Sequence, residues 1–147
     1  MDDCLFCKIA NKEVPAAIFY EDDKTLGFLD IKPHSLGHSV VILKKHTKDI
    51  LDTPEDDLSN LIASIKKILE ILKQSLNPDG FTIGINHGEI AGQAIGHLHI
   101  HILPRYKNDR GGSIHSVIFN PPKESIEETL NIIKNVNLKT KNDNVKC

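Results

Sequence analysis

The chain has 147 residues, 39% of them hydrophobic, and a formal net charge of -2 with histidine neutral. That length suggests one domain, whose core needs no disulfide or metal merely to form. The charge balance speaks against a nucleic-acid binder and against a polybasic membrane patch. The acidic start, Met1-Asp2-Asp3, lacks the basic and apolar regions of a signal peptide, and no apolar run approaches the length of a membrane span. Three cysteines, Cys4, Cys7 and Cys147, make no disulfide framework, so a reducing, cytoplasmic setting is the simplest reading. Cys4 and Cys7 are spaced as half of a zinc site or as a redox pair, and Cys147 reads as a tail residue.

Taken in chain order, Ile18–Tyr20 and Leu26–Leu29 flank the polar turn Glu21-Asp22-Asp23-Lys24 and predict a hairpin. Val40–Leu43 reads as a buried strand. Thr53-Pro54-Glu55-Asp56 predicts a helix start, with Thr53 as N-cap and Pro54 in the first helical position. Leu58, Leu61, Ile62, Ile65, Ile68, Leu69 and Leu72 then follow the helical period, and the helix stops before Asn77-Pro78. Phe81–Ile85 alternates as a strand, and Asn86–Gly96 is a loop with glycine at 84, 88, 92 and 96. Such glycines permit positive φ, and consecutive exposed N–H groups in such turns make anion nests. After a polar loop at 107–112, Ser125 and Glu128 fit a capping box that opens a last helix, expected to fade by Leu138. These elements predict an α+β fold: about five antiparallel strands, one long helix and one C-terminal helix, with a domain over 1–138 and a polar tail over 139–147.

The chemistry concentrates at Gly96–Pro104. His97, His99 and His101 alternate with Leu98, Ile100 and Ile102. On a strand this puts three imidazoles on one face, about 7 Å apart at the backbone, and three aliphatic groups on the other. Imidazole serves as base, acid, nucleophile or metal ligand near neutrality. A neutral imidazole attacks through one nitrogen only when the other holds an oriented proton.

The segment His97-Leu98-His99-Ile100-His101-Ile102-Leu103 resembles the signature of the histidine triad (HIT) nucleotide-binding proteins. Cys4-Leu5-Phe6-Cys7, Phe28-Leu29-Asp30-Ile31-Lys32-Pro33, Gly37-His38, Lys44-Lys45-His46, Asn86, Gly88, Ala91-Gly92-Gln93 and Pro104-Arg105 sit in that family's order and spacing. The resemblance covers nearly the whole chain. It implies a HIT-like fold and a double displacement at the α-phosphorus of a purine nucleotide conjugate, such as a nucleoside phosphoramidate or dinucleoside polyphosphate. His99 would be the nucleophile, its proton held by the backbone carbonyl of His97. His101 would donate to a phosphate oxygen, and His38 would support the first triad histidine, His97. Asn86 and Gln93 would face phosphate and Asp30 the ribose hydroxyls. Phe6, Ile9, Phe28, Ile31 and Val40 would line the base pocket. Asp30 also fits turn chemistry, and Phe28, Ile31 and Val40 fit ordinary core. Zinc-containing members imply a structural Zn2+ on Cys4, Cys7, His46 and His97. The family is commonly a homodimer, and AMP or GMP would be the bound nucleotide.

One departure is Ala94, where several members carry a hydroxyl after the glutamine; either the backbone N–H suffices or catalytic power is lost. His34, His87 and His115 have no assigned role and read as exposed. Two other readings stand beside the hydrolase: a zinc hydrolase with its metal on the triad itself, and a nucleotide-binding interaction protein with little turnover.

Overall fold

The computed structural model describes residues 3–143, with side chains through residue 136. Cys147 lies outside the described residues. Five strands form one antiparallel sheet: β1 (Ile18–Glu21), β2 (Thr25–Leu29), β3 (Ser39–Leu43), β4 (Gly80–Gly84) and β5 (His99–Arg105), in the order β1-β2-β3-β5-β4. The helices are α1 (Leu5–Ala10), α2 (Glu55–Leu76) and α3 (Ile126–Asp143). The α+β architecture, the hairpin and the long helix are as the sequence predicts. Compact units divide at Gly111/Gly112. The second holds α3, which is opened by the expected capping box: Ser125 N donates to Glu128 Oε2 and Glu128 N to Ser125 Oγ. The helix runs on to Asp143, so the boundary expected at Leu138 falls inside it.

Alternation along the central strands divides the apolar side chains of the first unit between two clusters. Val41, Leu43, Leu98, Ile100 and Ile102 pack with Leu61, Ile65, Ile68 and Leu72 of α2. Val40, Ile42, Leu26 and Phe28 form the second cluster with Phe6 and Ile9 of α1. β3 pairs with β5 so that Val40 opposes His101, Ile42 opposes His99 and Val41 opposes Ile100. Directly opposed residues share a face. His99 and His101 therefore lie on the α1 side of the sheet, and Ile100 and Ile102 on the α2 side.

Three local expectations differ. Thr53 does not cap α2: its hydroxyl donates to the Asp49 carbonyl, and Pro54 occupies the cap position with extended ψ. Ile62 is 59% exposed, because it falls on the solvent edge of the α2 stripe. Helix α1 has no counterpart among the predicted elements, because six residues are too few for a helical period to show.

Gly37 holds φ +84, and a Cβ there would meet Leu76 and Pro104. It turns the chain into β3 immediately before His38. Asp22 ties the first hairpin to α2. Its Oδ2 accepts from Tyr20 Oη (2.6 Å) and Ser64 Oγ (2.8 Å), and its Oδ1 from the N–H groups of Lys24 and Thr25. Burial opposes ionisation, but these donors outweigh it and hold the carboxyl down to about 2, from an ordinary 3.8. A depressed carboxylate contributes stability above its unfolded pKa and loses it as pH falls through the folded one. Asp22→Asn is expected to lower unfolding free energy by about 1–2 kcal/mol at pH 7. The deficit should close between pH 3.8 and about 2 in denaturant titrations; a deficit constant over that range would contradict the assignment.

Candidate active site

Each triad imidazole has its tautomer set by a different partner. His99 Nδ1 lies 2.7 Å from the His97 carbonyl, so it carries the proton and Nε2 carries the lone pair. His97 Nε2 lies 2.9 Å from the Leu43 carbonyl and must donate to it, which leaves the Nδ1 lone pair facing the cysteines. His97 precedes the strand proper, and its N-terminal position lets it turn toward the N-terminus of the chain.

His38 supports the third triad histidine and not the first, contrary to the role its resemblance implied. Its Nε2 is 3.0 Å from His101 Nδ1. The reason is register: Val40 opposes His101, which brings the entry to β3 alongside the third histidine. The backbone N–H of His34 donates to His38 Nδ1 at 3.2 Å. Neutral His38 must then carry its proton on Nε2 and give it to His101 Nδ1, which leaves His101 with an outward Nε2–H donor. Asp30 Oδ2 lies 3.7 Å from His38 Nε2 and 3.9 Å from His101 Nδ1, close enough to stabilise either ring if it becomes charged. Two histidines and a carboxylate could in principle hold a metal. Binding through His38 Nε2 would require a proton on Nδ1, opposite the His34 N–H, so the cluster fits a hydrogen-bond relay. Burial is the main force holding His38 and His101 below the ordinary 6.5, which favours the neutral forms that the relay needs.

The glycine loop works differently from the simple nest. Gly88 and Gly92 hold φ +85 and +95, but the loop consumes its own donors. Gly88 N donates to Gln93 Oε1, Ala91 N and Gln93 N to the Gly88 carbonyl, and Gly92 N to the Glu89 carbonyl. Gln93 Nε2 reaches the carbonyls of Lys48 and Ile95. Gln93 is thus a brace for the loop. Just beyond it, the N–H groups of Ala94, Ile95 and Gly96 donate to no acceptor among the described residues. Three successive donors precede the triad where Ala94 lacks a hydroxyl. Asn86 packs beside Gly92.

Phe6, Ile9, Phe28 and Val40 are buried on the same sheet face as His99, and Phe6 meets the His99 ring edge-on at 5.2 Å. Ile31 stands apart at 89% exposure. Asp30 serves a turn as well, accepting from Lys32 N. His34, His87 and His115 are exposed as expected, although His34 acts through its backbone.

A second cluster sits against the first. Cys4 Sγ is 3.4 Å and Cys7 Sγ 3.5 Å from His97 Nδ1, and Cys7 Sγ is 3.3 Å from His46 Nδ1. Tetrahedral zinc, with bonds of about 2.3 Å to sulfur and 2.05 Å to nitrogen, separates such atoms by about 3.5 Å. Burial, with the adjoining Cys4 thiol, pushes the Cys7 thiol up to about 11. A thiol so placed ionises near neutrality only beside a cation. The donor set and spacing therefore fit a closed zinc site.

Residues 11–108 match the model of the HIT domain. The chain belongs to the HIT family. It is 48% identical over 106 residues to an uncharacterised HIT-like protein of Methanocaldococcus jannaschii, an alignment covering 72% of this chain and 81% of that one. It is 39% identical over 108 residues to the adenylylsulfatase HINT3 of Arabidopsis thaliana, covering 74% of this chain and 55% of that longer protein. A Zn-bound histidine triad family protein from Mycobacterium smegmatis superposes with a TM-score of 0.71 at 35% identity, covering 86% of this chain and 88% of that one. No helix among the described residues is long and apolar enough to cross a membrane.

The HIT-domain relay has a pH signature. His38 and His101 titrate below 6.5, so the neutral relay persists through that pH and fails only under more acidic conditions. Titration of the His38 and His101 ring protons followed by NMR is expected to show midpoints below pH 6.5, and His38→Ala should shift that of His101. A wild-type midpoint above 6.5 for either ring would contradict the relay.

Proposed function

We propose that this HIT protein is a nucleotidyl hydrolase or transferase acting at the α-phosphorus of purine nucleotide conjugates, through a nucleotidyl-histidine on His99. The observation that carries this reading is the 2.7 Å contact from His99 Nδ1 to the His97 carbonyl, which leaves Nε2 as a neutral nucleophile. In the first step His99 Nε2 forms a bond to phosphorus as the bond to the leaving group breaks. The free N–H groups of Ala94, Ile95 and Gly96 are suited to the non-bridging oxygens, and His101 Nε2–H to charge that grows in the transition state. Water then cleaves the P–N bond and returns His99 to its starting form. Asp30 would hold the ribose hydroxyls, with Asn86 near the α-phosphate. Phe6, Ile9, Phe28 and Val40 would line the base pocket with exposed Ile31 at its rim. The relative named an adenylylsulfatase supports an adenylyl conjugate among the substrates; phosphoramidates and dinucleoside polyphosphates fit the same chemistry.

Zn2+ would be held by Cys4, Cys7, His46 and His97, supported by the S–N spacing and by the Zn-bound relative. It would supply structural fixation, tying the N-terminus to the residue whose carbonyl orients His99. A metal on the triad itself is disfavoured, since Leu43 and the cysteines already engage both nitrogens of His97.

His99→Ala is expected to reduce hydrolysis of adenosine 5′-phosphoramidate at least about a thousandfold while AMP binding by calorimetry stays within about threefold. Undiminished turnover would remove His99 from the chemistry, and the absence of turnover in wild type would favour a binding protein. Elemental analysis is expected to find one zinc per wild-type chain and none in the double variant Cys4→Ser/Cys7→Ser. Full retention of zinc would move the metal to the triad.

A further inference from the structure

One side chain joins the proposed metal site to the reacting imidazole. Phe6 stands between Cys4 and Cys7, in the first turn of α1. Its ring is edge-on to His97 at 5.9 Å, to His99 at 5.2 Å and to Phe28 at 5.7 Å. Phe6 and His99 are each 6% exposed. Helix α1 has six residues, well short of the ~12–15 that an isolated helix needs. Its position therefore depends on its anchors, which are the burial of Phe6 and Ile9 and the Cys4/Cys7/His46/His97 cluster.

We infer that Phe6 is a positioning residue through which the metal site acts on His99. A hydrogen bond at Nδ1 fixes the proton of His99 but does not by itself stop the ring rocking about that bond. The rings of His101 and Phe6, each 5.2 Å away, both pack against it, and of the two Phe6 also meets His97 of the metal cluster. With Cys4 and Cys7 held, Phe6 is clamped on both sides along the chain, and His99 Nε2 keeps one direction. With the clamp released, α1 retains only two buried apolar side chains, Phe6 withdraws, and His99 becomes both more accessible and less well aimed. The kinetic consequence rests on the proposed role of His99; the structural coupling does not.

The test uses the zinc-loaded, full-length chain. Diethyl pyrocarbonate carbethoxylates imidazole, and tandem mass spectrometry resolves His99 from its neighbours. At fixed pH, stripping zinc with a chelator is expected to raise the His99 rate about tenfold, and zinc readdition to reverse it. Phe6→Leu, still carrying one zinc per chain, should show the fast rate with zinc bound and respond no further to stripping. In turnover, Phe6→Leu should lower kcat about tenfold, beyond any rise in KM from its place in the base pocket, whereas a residue that only lined that pocket would raise KM and leave kcat unchanged. A His99 rate indifferent to zinc in wild type overturns the inference. So does a Phe6→Leu protein that still responds to stripping as wild type does, or a rise in KM alone. If Phe6→Leu fails to fold, Ile9→Ala loosens the same helix and is read by the same two rates; a slow, zinc-sensitive wild-type pattern there is equally contradictory. If the carbethoxylation pattern holds while no nucleotidyl transfer occurs, the coupling stands and the enzymatic reading fails.

Discussion

A neutral imidazole has one lone pair to offer, and which nitrogen offers it depends on where the proton is held. In this chain the His97 carbonyl holds the proton of His99, 2.7 Å from Nδ1 and only two residues back along the backbone. That bond is possible because the chain between them enters β5 at His99, with Ile42 of β3 opposite and Ile100 facing α2. The α2 core, the β3–β5 register and the turn at Gly37 all serve to keep the two residues at that separation. Small displacements there would reorient the lone pair, and catalytic groups tolerate little misplacement.

His97 is the point at which three requirements meet. Its carbonyl orients His99, its Nε2 is tied to Leu43, and its Nδ1 faces Cys4 and Cys7. Backbone and side chain of one residue therefore connect His99, the central sheet and the N-terminal cysteines. Farther along the same face, His38 fixes His101 as a donor, itself fixed by a backbone N–H from His34. The arrangement amounts to two tautomer locks in opposite senses: a lone pair outward on His99, a proton outward on His101. Attack on phosphorus with stabilisation of an oxygen needs that combination.

Much of this was legible in the sequence because it follows period and composition. Alternation at 97–102 placed histidines and aliphatic groups on opposite faces, the spacing of Leu61, Ile65, Ile68 and Leu72 marked the helix that covers the aliphatic face, and the triad signature pointed to the HIT family. What escaped depends on partners distant in sequence. The pairing of His38 with His101 spans 63 residues and is decided by strand register. The loop glycines suggested a phosphate nest, but Gln93 and the turn carbonyls absorb those donors, and the free N–H groups lie one step later, at Ala94–Gly96. Thr53 had the right chemistry for a cap yet found the Asp49 carbonyl nearer. Helix α1 was too short for periodicity to reveal without knowing what Phe6 packs against.

The chemistry proposed for this site turns on the atom that bonds to phosphorus. Rapid quench of the wild-type protein with adenosine 5′-phosphoramidate, followed by tandem mass spectrometry, reads that atom's residue directly. The expected result is a transient adenylyl adduct on His99, formed faster than steady-state turnover. Hydrolysis that proceeds with no adduct, or with the adduct on His101 or His38, would contradict it.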